Sequence, residues 1–183
     1  VLFVKILAKE SSMKVLVTYY SETGNTKKLA ESIHNAVPEA PHIPRLQADL
    51  LPVNEATGAQ TYDLIFCGFP VQTHSVPPAV IPFITAIPAG TKVAFFATHG
   101  SLRGGRLAKE AFEHALSLAS RAKVLGTFGT RGKVRPSVIE ALQQKPEHAA
   151  WAQEALGAIN HPDEADLHDA RDFAATIIAK AAQ

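Results

Sequence analysis

Apolar residues recur along this chain in two alternating rhythms. Four short runs are dense in β-branched and aromatic side chains: Val15 to Tyr20, Tyr62 to Gly68 (YDLIFCG), Lys92 to Ala97 (KVAFFA) and Lys123 to Phe128. Continuous runs of this length suit strands buried on both faces of a parallel sheet. Between and after them the spacing lengthens to the helical period. Leu29, Ile33 and Val37 mark one stripe, Leu107, Ala111, Ala115 and Leu118 another, and Leu167, Ala170, Ala174, Ile177 and Ala181 a third.

Weaker signals fill the gaps. The stretch from His42 to Leu50 alternates poorly and predicts a fifth strand at a sheet edge, and 54–61 reads as a loop or short irregular helix. Val80, Ile81, Phe83 and Ile84 predict a short helix opened by Pro77 and Pro78, with Pro82 in its first turn or distorting it. Short helices are expected over 137–144 and 147–157, and a long final one over 163–182, with Asp163, Glu164 and Asp166 complementing the macrodipole in its first turn. Strands separated by helices argue for right-handed crossovers and a parallel sheet. The expected fold class is α/β, a three-layer α/β/α sandwich.

Three polar segments interrupt this pattern at equivalent places, each where a buried strand ends. Ser21-Glu22-Thr23-Gly24-Asn25-Thr26 joins the first strand to a helix start. Short hydroxyl and amide side chains, one glycine and a helix N-terminus are the parts of a phosphate cradle, with Thr26 as helix cap or phosphate donor. Phe69-Pro70-Val71-Gln72-Thr73-His74-Ser75-Val76-Pro77-Pro78 follows the next buried strand, and Thr98-His99-Gly100-Ser101-Leu102-Arg103-Gly104-Gly105 the one after. The first segment lacks the G-K-[ST] ending of Walker loops, and no G-x-G-x-x-G follows the strand. Receiver-type phosphoryl chemistry needs carboxylates at strand ends that here read Tyr20-Ser21 and Cys67-Gly68.

The S-x-T-G-N-T pattern after the first strand resembles the phosphate loop of flavodoxins and flavodoxin-like flavoproteins, and Gly68-Phe69-Pro70-Val71 resembles their first ring loop. The resemblance covers about residues 14–183 and implies the strand order 2-1-3-4-5, with FMN (flavin mononucleotide) as cofactor. Ser21, Thr23, Gly24, Asn25 and Thr26 would anchor its phosphate. Phe69, Pro70, Val71, His74, Thr98, His99 and Gly100 would border its ring. Many flavodoxins stack a tryptophan and a tyrosine on the ring, yet 70–77 and 98–105 hold no Trp, Tyr or Phe. The ring is thus left to Phe69, His74, His99 or backbone and apolar contacts. A protonated His74 or His99 near the flavin N1 would favour the anionic, fully reduced form. Glu22 is expected to point outward without a role, Cys67 to fill core, and Trp151 to serve packing. No metal site is expected from His148, His161 and His168.

Composition narrows the functional classes. The 183 residues are 46% hydrophobic and 19% charged, an ordinary globular balance for a single domain over 13–183. Residues 1–12, preceding the single methionine, read as a tag remnant or start-site extension. Eighteen Lys and Arg stand against 17 Asp and Glu, so no overall field points to nucleic acid or a membrane. One cysteine excludes an intramolecular disulfide framework, and no apolar run reaches the roughly 18 residues of a membrane span. A cytoplasmic monomer or homodimer is expected. The leading expectation is an electron carrier between redox partner proteins, a reductase or ferredoxin-type donor and an acceptor enzyme. An FMN-dependent NAD(P)H:quinone-type oxidoreductase and a cofactor-free interaction module are the alternatives. Arg103, Arg106, Arg131, Lys133 and Arg135 could border one basic rim, steering an acidic partner or nucleotide phosphates.

Overall fold

The computed structural model describes residues 12–39 and 45–183. Five parallel strands form one sheet: β1 (Met13–Tyr19), β2 (Leu46–Pro52), β3 (Leu64–Pro70), β4 (Lys92–His99) and β5 (Lys123–Arg131). Their order is β2-β1-β3-β4-β5, as expected. The helices are α1 (Asn25–Ala36), α2 (Ile81–Ala86), α3 (Arg106–Leu118), α4 (Pro136–Gln143), α5 (Ala149–Leu156) and α6 (Glu164–Ala181).

Strand alternation splits the apolar residues into two cores. Val15, Val17, Phe66, Ala94 and Phe96 face α1 and α6, while Leu16, Ile65, Cys67, Phe69, Phe95 and Ala97 face α2 and α3. Near-complete burial on both sides accounts for the continuous apolar runs of β1, β3 and β4, while β5, at the sheet edge, is mostly half-buried. Burial also pushes the Cys67 thiol up, in keeping with a filler role.

Element ends moved relative to expectation. β4 and β5 continue past their apolar runs into Thr98-His99 and Thr130-Arg131, because the ladder still pairs Thr98 with Thr130 and His99 with Arg131. β2 starts at Leu46; the expected start at His42 lies outside the described residues, as do residues 1–11. The proline-marked helix begins only at Ile81, with Pro82 in its first turn. Pro77 and Pro78 precede it as loop.

Helix α6 opens with a capping box. Asp163 Oδ1 accepts from the Asp166 N–H, and Asp166 Oδ2 accepts from the Asp163 N–H, each at 3.0 Å. Asp166 also receives the Thr130 hydroxyl and lies 2.5 Å from His161 Nδ1. Burial works to raise its pKa, but the hydrogen bonds from Thr130, His161 and Asp163 outweigh it and hold the carboxyl low. His161, Asp163 and Asp166 bring potential ligand atoms within 4.8 Å of one another. The spacing of the histidines had not suggested this grouping, and its hydrogen bonds serve to start the helix.

Between α4 and α5 the chain makes a short 3₁₀ turn, Pro146–His148. This helical hairpin has its own small core of Ile139, Ala152 and Ala155, flanked by Val134, Leu142 and Trp151.

Candidate functional site

A parallel sheet delivers every strand-to-helix loop to the same edge, and here those loops enclose a cleft of about 600 Å³. The phosphate-loop wall begins where β1 ends. Gly24 caps α1 with φ of 86°, a left-handed conformation suited to glycine, and no side chain caps the helix. The first-turn N–H groups of α1 are therefore available to an anion. Ser21 Oγ accepts from the Gly24 N–H at 3.1 Å, and Thr23 Oγ1 accepts from Asn25 Nδ2 at 3.1 Å. Asn25 Nδ2 also donates to the Lys133 carbonyl at 2.8 Å. Thr26, expected as cap or donor, is instead inside α1, buried, with its hydroxyl 2.8 Å from that of Thr98. Of the five expected anchors, Thr23, Asn25 and Thr26 line the cleft, while Ser21 and Gly24 shape the loop behind them.

Pro70 and Val71 form a second wall, held when the Val71 N–H donates to the Thr98 carbonyl at 2.8 Å. Gln72 and Ser75 then exchange backbone hydrogen bonds around Thr73 and His74, both at positive φ (47° and 61°). Such backbone costs energy at non-glycine residues and concentrates at functional segments. His74 is half exposed, lines the cleft and lies 3.3 Å from Glu110 of α3. Phe69 does not reach the cleft. β3 continues to Pro70, so alternation turns Phe69 into the core beside Phe95 and Phe112, wholly buried.

Thr98, His99 and Gly100 do line the cleft. His99 Nδ1 donates to the Ser101 carbonyl at 3.0 Å, leaving a buried Nε2 without a partner. Burial lowers its pKa, the Ser101 bond opposes this, and the Arg131 and Arg103 charges add to the lowering. At neutral pH the ring is uncharged, so His99 does not supply the positive charge envisaged for it.

Three contributors lie outside the expected cofactor-binding residues. Gly132, Lys133, Val134 and Arg135 form a further wall after β5, and the hairpin adds Val138, Leu142, His148 and Trp151. The first of these was signalled, since β5 ends at the same sheet edge as β1, β3 and β4. Trp151 is therefore a cleft residue rather than packing alone. Glu22 is the third. Its Oε1 accepts from the Tyr20 hydroxyl at 2.9 Å and from Gln72 Nε2 at 2.7 Å, and its Oε2 from Arg135 Nη2 at 3.0 Å. One carboxylate thus joins three walls. Hydrogen bonds from Gln72 and Tyr20 pull its pKa down against burial, with Arg135 assisting.

The basic rim is internally paired: Arg103 with Asp169, Arg106 with Glu110, and Arg135 with Glu22. Arg131 turns inward, donating from Nη2 to the Glu154 carbonyl at 2.6 Å near the end of α5.

This sheet order, with a hydroxyl-rich loop at a helix start beside the switch point, defines a nucleotide-binding α/β protein. The chain belongs to the flavodoxin family: the model of the flavodoxin domain matches residues 16–175. It is 28% identical over 181 residues to the flavodoxin-like domain-containing protein BilS of Clostridioides difficile (strain CD3), covering 92% of this chain and 98% of that one. Among solved structures, a flavodoxin from the domain Archaea superposes with a TM-score of 0.62 at 16% identity, covering 93% of this chain and all of that chain (100%). Oxidised flavodoxin 2 from Bacillus cereus gives 0.59 at 22% identity, covering 91% and 99%. These structures show the shared fold. Flavodoxins are FMN proteins, and the cleft's donor set fits that cofactor: an uncapped helix start beside Thr23 for a phosphate, and apolar walls for a ring.

Proposed function

We propose that the cleft binds FMN and that the protein works as an electron carrier between redox partner proteins, a reductase or ferredoxin-type donor on one side and an acceptor enzyme on the other. The observation carrying this reading is the convergence of 21–26, 70–74 and 98–101 on one cavity beside the free N-terminus of α1. The bound flavin supplies the electron-accepting chemistry. The N–H groups of α1 and the Thr23 hydroxyl take the phosphate, while Thr98 holds Thr26 and Val71 in place. Val71, Gly100 and the neutral His99 give the ring a surround without positive charge from that imidazole. Among the described residues no helix is long and apolar enough to cross a membrane.

A second reading, an FMN-dependent NAD(P)H:acceptor oxidoreductase, is favoured by the hairpin. Val138, Leu142, His148 and Trp151 wall the cavity and would accommodate a small acceptor. Anaerobic reductive titration of the FMN-reconstituted protein separates the two. Reduction through a long-lived one-electron stage, with no response to NADPH, is the outcome for the carrier. Direct two-electron bleaching by NADPH would establish the oxidoreductase instead, and failure to retain FMN would leave a cofactor-free interaction module.

A further inference from the structure

Apart from His74, whose imidazole lies 3.3 Å from Glu110, the ring loops present little flat surface to a planar ligand. The Thr98 hydroxyl is engaged with Thr26, and Gly100 has no side chain. The His99 ring is directed beneath its loop, with Nε2 3.3 Å from the position a Cβ on Gly129 would take and Phe112 alongside. Phe69 is in the core. Over Gly100, however, lies the indole of Trp151: a Cβ at Gly100 would stand only 3.0 Å from Trp151 Cζ2 and 2.5 Å from Val134 Cγ2. The absence of a side chain at Gly100 is what lets the indole settle onto the loop.

Two further features fix that indole. Its Nε1–H donates to Ser101 Oγ at 3.1 Å, which satisfies the polar edge, and the residue lines the cavity. Behind it, Ala152 and Ala155 on α5 pack with Ile139 of α4. The indole is half-buried and comes from a helix outside the loops that follow β3 and β4.

We propose that Trp151 is the aromatic platform on which the planar ring of the cofactor stacks, delivered by the α4–α5 hairpin. The inference rests on the FMN reading and adds a residue that selects for the ring rather than the phosphate. Stacking of a planar base on an aromatic side chain changes affinity by about ten- to a hundredfold in comparable sites.

The test compares FMN, riboflavin and inorganic phosphate as ligands of the full chain, by calorimetry, for the wild type, W151A, W151F and T23A. W151A should lose about ten- to a hundredfold in affinity for FMN and riboflavin alike, with phosphate unchanged. T23A should weaken FMN and phosphate but not riboflavin. W151F should recover most of the ring affinity, yet lose any long-wavelength absorbance shoulder that the indole gives the bound flavin. Equal FMN affinity in W151A and wild type would overturn the proposal. So would an equal loss in W151F and W151A accompanied by a lowered melting temperature, since that marks a packing role. Failure of the wild type to bind either flavin would overturn the FMN reading itself, which separates the two failures.

Discussion

The cleft is built from two kinds of wall. On one side the phosphate loop runs straight out of the sheet: Thr26 is buried in α1, bonded to Thr98, and Ser21, Thr23 and Asn25 are tied to their own loop. On the other, α4 and α5 pack mainly on each other around Ile139, Ala152 and Ala155 and join the fold through particular contacts. Those contacts are Trp151 to Ser101, Arg131 to the Glu154 carbonyl, Glu154 to the Leu102 N–H, and the close approach at Gly100. Val138, Leu156 and Ile159 remain exposed around the hairpin. A wall integrated with the main core is positioned by folding itself, whereas a wall with a small separate core depends on its attachments. Substitutions in the first should therefore strike the phosphate, and substitutions in the second the ring.

The largest effect is expected on the integrated side. Replacing Thr23 and Thr26 together by alanine removes the Thr23 hydroxyl from the anchor, worth about 1.5–3 kcal/mol when bonded to a charged group, and the buried Thr26 hydroxyl that pairs with Thr98 behind it. FMN affinity should fall by about ten- to a hundredfold while the far-ultraviolet circular dichroism stays unchanged. Unchanged affinity would break the assignment of that wall.

Next comes D166A, at the entry to α6. It removes one half of the capping box, the acceptor of the Asp163 N–H, and leaves the buried Thr130 hydroxyl without its acceptor, at an expected cost of about 1–3 kcal/mol in urea unfolding. The folded pKa of Asp166 is depressed, so its contribution is complete above the unfolded value of about 4 and is lost as pH falls through the folded one. Wild-type stability should accordingly fall more steeply than that of D166N as pH is lowered below about 4.

G100A addresses the hairpin's attachment directly. A methyl 2.5 Å from Val134 Cγ2 forces the wall outward, and overpacking of this kind costs about 1–3 kcal/mol. The expected signature is an environment change of the single tryptophan, a red shift in its emission, with phosphate affinity retained. Retained emission would show that the hairpin is held more firmly than its separate core implies.

The same division governs how far the sequence could be read. The parallel sheet and the three loops were legible because buried parallel strands write continuous apolar runs and their carboxyl ends share one edge, whereas the strand order came from the flavodoxin resemblance alone. Phe69 was misplaced by the extent of one strand: with β3 running to Pro70, its side chain belongs to the core face shared with Phe95. Trp151 carried no local signal, since a tryptophan in an alanine-rich helix has the pattern of packing. Arg131 was misread for a similar reason, its inward direction being set by α5. Glu22 was illegible because its direction depends on residues 50 and 113 positions away, Gln72 and Arg135.

Glu22 also provides the finest test of the comparison, because its carboxylate ties the two kinds of wall, beside the bond from Asn25 Nδ2 to the Lys133 carbonyl. E22A removes the acceptor for Tyr20, Gln72 and Arg135 together, while R135A removes only the charged partner. The Arg135 pair is partly exposed, and exposed pairs contribute about 0–1 kcal/mol, so neither change should lower global stability by more than about that amount. The effect belongs to the cleft instead. With the tie cut, amide hydrogen exchange should quicken at 72–75 and 133–138 and stay unchanged in 25–36, and FMN should dissociate a few-fold faster from E22A than from R135A. Equal exchange at 25–36 and 133–138 in E22A would mean that the hairpin wall and the phosphate loop move as one body, and the distinction between them would fall.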